Sequence, residues 1–203
     1  MFHKFEFGFF VMIALVGAGC ATANKSGFLS EYDRMHSGQH LEHYWSAPEL
    51  KGQTTAKIYV ESVDTSRVKN QPGVTVEDAA HWLREAAMSS INKQPGWSTA
   101  EQPEASTSKL VLAITYFTPG SAGGRILAGE FGLGHAFVQV EGRLIESGTN
   151  KEIACFSDRR RDSGAVGFED IAGDAGPKLV NRLLRHIAAD VAKELADDLQ
   201  GQH

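Results

Sequence analysis

The sequence predicts an α/β (α+β) fold: a two-layer sandwich in which a mixed sheet of about four strands carries two main helices on one face. Three observations lead there. Two segments place apolar residues at a period near 3.6, and four others are short runs rich in β-branched residues. Their order is strand, helix, three strands, helix, and each apolar face must be buried on another layer. The chain has 203 residues, with 42% hydrophobic and 22% charged, which is enough apolar material for one domain with appendages.

The elements follow in order. Residues 56–63, AKIYVESV, alternate Ile58 and Val60 against Tyr59 and Glu61, which suits a strand. The first helix starts after Thr75, whose hydroxyl can cap free backbone N–H groups. Glu77 and Asp78 put negative charge at its positive dipole end. Val76, Ala79, Ala80, Leu83, Ala87 and Ile91 form its apolar stripe, and Pro95-Gly96 ends it, with Trp97 in a turn-like setting. KLVLAITYF, residues 109–117, is apolar almost throughout, as a central strand buried on both faces would be. HAFVQVEGRLIE, 135–146, alternates Ala136, Val138 and Val140 against Phe137, Gln139 and Glu141. SGTN, 147–150, turns it into a partner strand, KEIACFSDRR. The second helix begins at Pro177 and ends at Gly201, with Leu179, Val180, Leu183, Leu184, Ile187, Val191, Leu195 and Leu199 on one face. Ahead of the first strand, Phe28, Leu29, Tyr32 and Met35 are spaced for one or two docked helical turns.

The first nineteen residues read as a signal peptide: a polar start with Lys4, the apolar run FGFFVMIALV, then Gly17, Ala18 and Gly19. That run is far shorter than the roughly 20 residues a membrane-spanning helix needs. Cys20 directly follows the small residues, an arrangement that resembles a bacterial lipobox, where the thiol is acylated. The usual leucine three positions before the cysteine is Gly17 here, and Glu6 is unusual in the charged start. Ala21 after the cysteine is not the aspartate that resembles an inner-membrane retention signal, so an outer-membrane anchor facing the periplasm is expected. Each buried acyl methylene contributes about 0.8 kcal/mol, so several chains hold a domain durably at a bilayer. The expected organisation is residues 1–19 as signal peptide, 20–27 as lipidated tether and 28–203 as a single α/β periplasmic domain. With Cys20 acylated, Cys155 has no partner and reads as a small buried hydrophobe. The formal net charge of −5 argues against a nucleic-acid partner.

SGFLSEYDRM after this tether, and the later PGSAGGRILAGEFGLGHAFVQVEGRLIESGTNKEI, resemble a group of uncharacterised bacterial lipoproteins with SGFLxxY and GSxxxR glycine-rich motifs. The matching positions are Ser26 to Leu29, Tyr32, Gly120, Ser121, Arg125, Gly129, Gly132, Gly134 and Lys151. The hairpin departs from that pattern, with Glu146 for aspartate and Asn150 for glycine. The resemblance implies an envelope lipoprotein and no particular activity.

Candidate sites are few. The glycine-rich segment lacks the Lys-Ser/Thr of a phosphate loop and opens a strand rather than a helix, so it reads as a connection between strands, with Arg125 available to an anion or partner. As a membrane zipper it is broken by Arg125, Glu130 and His135. His36, His40 and His43 would share one face if HSGQHLEH were helical and could then ligate zinc. Arg159, Arg160 and Arg161 could meet lipid headgroups or glycan carboxylates. The favoured reading is a solvated turn neutralised by Asp158 and Asp162. GxSxG is absent, no cofactor is expected, and His81 and His186 read as surface residues. The leading expectation is a non-enzymatic lipoprotein binding or scaffold module, held at the membrane and docking an envelope protein or cell-wall component. A zinc-binding protein and an envelope hydrolase are the alternatives.

Overall fold

A computed structural model describes residues 23–51, 55–120, 135–162, 175–199 and 201. Residues 1–19, Cys20 and Arg125 lie outside the described residues, as does most of the glycine-rich segment. The sheet has six strands: β1 His43–Ser46, β2 Ala56–Val60, β3 Trp97–Ala100, β4 Ser108–Thr118, β5 Ala136–Glu146 and β6 Lys151–Asp162. Their spatial order is β1-β6-β5-β4-β2-β3. Helix α1 spans Val76–Ile91 and helix α2 spans Ala175–Leu199.

The sheet is mixed, as expected, but six-stranded rather than about four-stranded. Both additions are four-residue edge strands. β1, HYWS, forms because β6 offers it an antiparallel ladder, with Tyr44 opposite Phe156 and Trp45 opposite Cys155. β3, WSTA, pairs in parallel with β2, so Trp97 sits in a strand rather than in a turn. α1 is the crossover between these two parallel strands, as parallel pairing requires. β4, β5 and β6 form a long antiparallel meander, and β2 joins it in parallel through β4.

Local signals set the helices. Thr75 Oγ1 accepts from the Asp78 backbone N–H at 3.0 Å, the expected cap. α1 and α2 pack on each other and on the sheet, α1 over β2 and β3, α2 over β5 and β6. Their stripes meet Ile58, Val60, Leu110, Leu112, Ile114, Val138, Val140, Leu144 and Phe156 in one core. α2 already includes Ala175 and Gly176 ahead of Pro177. Of the expected fully buried run in β4, only Leu112–Ile114 is continuously buried. Lys109, Val111 and Thr115 are partly open on the second face.

Period-two alternation gives every central strand two faces. Even-numbered residues face the helices in β5 up to Leu144 and in β6 from Ala154 onward, while a bulge beside Leu144 turns Glu152 away from the helices and Ile153 into the core. The odd-numbered ones, Phe137, Gln139, Glu141 and Arg143 with Cys155, Ser157, Arg159 and Arg161, share the opposite face. His81 and His186 are exposed, as read from the sequence. No helix among the described residues is long and apolar enough to cross a membrane.

Candidate functional site

The face away from the helices carries a polar centre under a chain segment. Glu141 is fully buried and Gln139 is 2% exposed, in the middle of the central strand. A buried carboxylate is tolerated only when its oxygens are hydrogen-bonded. Glu141 Oε2 accepts from the Tyr32 hydroxyl at 2.6 Å, and Oε1 accepts from Gln139 Nε2 at 2.9 Å and Thr115 Oγ1 at 3.3 Å. The Tyr32 oxygen in turn accepts from the backbone N–H groups of Ser26, Gly27 and Leu29, at 3.0, 2.9 and 3.3 Å. The SGFLSEY stretch is therefore wound around one phenol, and that phenol is fastened to the sheet.

The strap continues toward the anchor. Gln139 holds Asn24 through both ends of its amide: Oε1 accepts from the Asn24 N–H at 3.0 Å, and Nε2 donates to its carbonyl at 2.6 Å. The Ala23 N–H donates to both oxygens of Glu42, at 3.0 and 2.9 Å. At the other end a 3-10 turn, Tyr32–Arg34, carries Arg34 over the Trp45 ring, 3.7 Å from its centroid, and into an ion pair with Glu152. Phe28 lies between the guanidinium groups of Arg67 and Arg143, 5.4 and 5.2 Å from them. The docked turns expected around Phe28–Met35 thus exist as one 3-10 turn and a bend, fixed by side-chain hydrogen bonds more than by an apolar stripe.

The three histidines do not share a helical face, because their segment is a bent loop between a β-bridge at His36 and strand β1. His36 bridges Tyr44, and His43 begins β1. The loop folds back around Glu194 of α2, which is 1% exposed and accepts from the N–H groups of Gln39, His40 and Leu41. Gly38 allows this approach, since a Cβ there would lie 2.9 Å from Glu194 Oε1 and from the Leu41 carbonyl oxygen. His40 Nε2 lies 2.8 Å from Asp197 Oδ2. Among the described residues, no three His, Cys, Asp or Glu side chains are grouped to hold a metal ion. A cleft of about 660 Å³ opens here, lined by His36, Tyr44, Ser46, Lys51, Glu194 and Asp198. Burial and the adjacent Asp198 carboxylate push the Tyr44 hydroxyl well above its ordinary pKa, so it stays a proton donor, to Asp198 Oδ2 at 3.0 Å.

The arginine triplet is in β6, not in a turn, so its members point alternately to the two faces. Arg160 faces α2, donating to Asp158 at 2.7 Å, to Asp190 at 2.5 Å and to the His40 carbonyl at 3.0 Å. Burial pushes the Asp158 carboxyl above its ordinary value, and the Arg160 guanidinium offsets this only in part. Arg159 and Arg161 face the strap side. The Arg159 guanidinium lies 4.9 Å from the Tyr116 ring centroid and 5.6 Å from that of Phe137.

Cys155 is buried at 1% exposure, and burial pushes its thiol pKa up despite Arg34 Nη2 at 3.6 Å. A raised pKa means less thiolate, the reactive form, at neutral pH. In Cys20→Ala protein, a maleimide reagent is expected to leave Cys155 unmodified under native conditions and to modify it fully in guanidinium chloride. Intact-mass measurement checks this.

The described residues therefore define a class: an α+β domain with two helices on a mixed six-stranded sheet and an N-terminal strap locked over the opposite face. No protein-family model matches the chain, and no curated protein matches it either. Its backbone is similar in part to those of several solved structures. The PelC dodecamer from Paraburkholderia phytofirmans is 14% identical, with 70% of this chain and 94% of that chain covered at a TM-score of 0.45. Protein XCC0632 from Xanthomonas campestris, of the DUF330 family, is 13% identical over 72% and 86%, with a TM-score of 0.45. Lipoprotein GNA1162 from Neisseria meningitidis is 13% identical over 63% and 96%, with a TM-score of 0.37. At these identities and scores the likeness concerns chain arrangement and assigns no activity.

Proposed function

We propose that the chain is an outer-membrane lipoprotein, acylated at Cys20 and facing the periplasm, whose domain is a non-enzymatic binding or scaffold module for an envelope protein or cell-wall component. The observation that carries this reading is the strap. A flexible linker between anchor and domain would leave residues 23–32 free, whereas here they are bonded to Glu42, Gln139 and Glu141. With Cys20 as the first mature residue, only Ala21 and Thr22 separate the acylation site from the fixed chain at Ala23. Such a domain is held against its membrane instead of ranging from it. The signal-like leader, the cysteine after its small residues and the resemblance of the SGFLSEY stretch to lipoproteins support the same reading. The zinc reading gains no cluster of three ligating side chains among the described residues.

Metabolic labelling with palmitate is expected to mark the wild-type chain and to vanish in Cys20→Ala. In-cell crosslinking with mass spectrometry is then expected to recover an envelope component, with fewer copies of it from Cys20→Ala. Recovery of none with the labelled, anchored chain would sink the binding-module reading.

A further inference from the structure

We propose that Tyr116, Phe137, Arg159 and Arg161 form a membrane-seating patch that rests on the phospholipid headgroups beside the anchor. This rests on the acylation of Cys20 and adds the orientation of the domain.

Reach sets that orientation. Asn24 is clamped by Gln139, and Ala23 by Glu42. Cys20 is three residues before Ala23. A chain extends by at most about 3.6 Å per residue, so an acylated Cys20 brings Ala23 to within roughly 11 Å of the headgroups. The surface around Ala23 and Asn24 must therefore face the bilayer.

The patch is next to that point. Gln139 lies between Tyr116 of β4 and Arg159 of β6 in cross-strand register, and Phe137 lies between Thr118 and Arg161. Directly opposed residues in a sheet have side chains about 5 Å apart. Arg159 arches over Gln139 to reach the Tyr116 ring, so the clamp that holds Asn24 lies beneath the patch.

Composition fits a headgroup surface. Tyr116, at 43%, is the exposed large hydrophobic residue among those described. Tyrosine settles at the membrane interface because its ring is apolar and its hydroxyl is polar. Among the described residues the carboxylate pairs of the β6 arginines are those of Arg160, which leaves the exposed Arg161 and the half-buried Arg159 without one. A guanidinium fork matches phosphate oxygens. The exposed acids of the strap are already paired: Asp33 with Lys25 at 2.5 Å, and Glu31 with Arg34 at 3.4 Å.

The test uses the chain expressed at full length with palmitate label, purified from membranes and reconstituted in vesicles of phosphatidylethanolamine and phosphatidylglycerol. Their acyl chains are brominated near the headgroup, which quenches nearby tryptophan. The added fluorescence of Tyr116→Trp is expected to be largely lost. That of Arg185→Trp, an exposed position on α2, is expected to remain. Arg161→Glu in the Tyr116→Trp background is expected to restore part of the signal, because it sets a negative charge against anionic lipid. Equal quenching at the two positions, or none at position 116 in labelled protein, overturns the patch and leaves the anchor standing. Absence of palmitate label overturns the anchor and the patch together.

Discussion

Glu141→Ala is expected to lower the unfolding free energy by about 2–4 kcal/mol, because it strips partners from buried polar groups and opens a cavity. Three donors converge on this carboxylate, and Glu141 itself is fully buried. Gln139, 2% exposed, loses one of its three hydrogen bonds, and the strap loses its tie to the sheet through Tyr32. Denaturant melts measure the loss. Limited proteolysis should show cleavage within residues 23–35 before the sheet opens, since the strap's remaining bonds to Gln139 and Glu42 are partly open to water. Glu141→Gln, which retains one acceptor oxygen, should cost less than Glu141→Ala. Equal losses for the two would mean that the second carboxylate oxygen carries the whole contribution and the side chain's volume none of it.

Gly142→Ala, one residue along β5, is expected to cost about 1–3 kcal/mol through overpacking on the opposite face. A Cβ at this position would stand 2.4 Å from Phe156 Cζ and 3.0 Å from Leu112 Cδ2. Both neighbours are 1% exposed, so neither ring nor methyl has free space to move into. Phe156→Leu in the same chain should recover part of the loss, giving a coupling energy between the two sites in a double-mutant cycle. Additive losses would show that the clash is relieved elsewhere.

These two adjacent positions show what sequence patterns convey. β5 alternates Val138 and Val140 with Gln139 and Glu141, and that alternation locates the strand and its helix-facing side. The same alternation results whether water or a strap covers the polar residues, so the burial of Glu141 is not legible in it. The SGFLSEY motif is legible as a resemblance, but its meaning lies in a contact between Tyr32 and Glu141 that are 109 residues apart. β1 escapes a sequence reading because four residues, with a histidine among them, carry little strand signal. Pairing with β6 decides their conformation. The histidine segment fits a helical period on paper, whereas Glu194 of α2, which gathers its N–H groups, lies more than 150 residues away. The Arg159–Arg161 triplet reads as a turn because three charges in a row mask a period-two pattern. Within the strand the same pattern sends Arg160 to Asp190 and Arg159 to Tyr116. Local signals are reliable where they are self-contained, as at the Thr75 cap and the two helical stripes.

If the segment following the anchor is fastened to the sheet through the Tyr32 hydroxyl, the Ser26, Gly27 and Leu29 amides must depend on that hydroxyl. Residue-resolved hydrogen exchange, comparing the wild-type chain with Tyr32→Phe, measures this at each amide. All three are expected to be protected in the wild type and to exchange much faster in Tyr32→Phe, while amides in β4 and β5 keep their protection. Exchange of the three at unprotected rates in the wild-type chain, or no change on removal of the hydroxyl, would contradict the fastening.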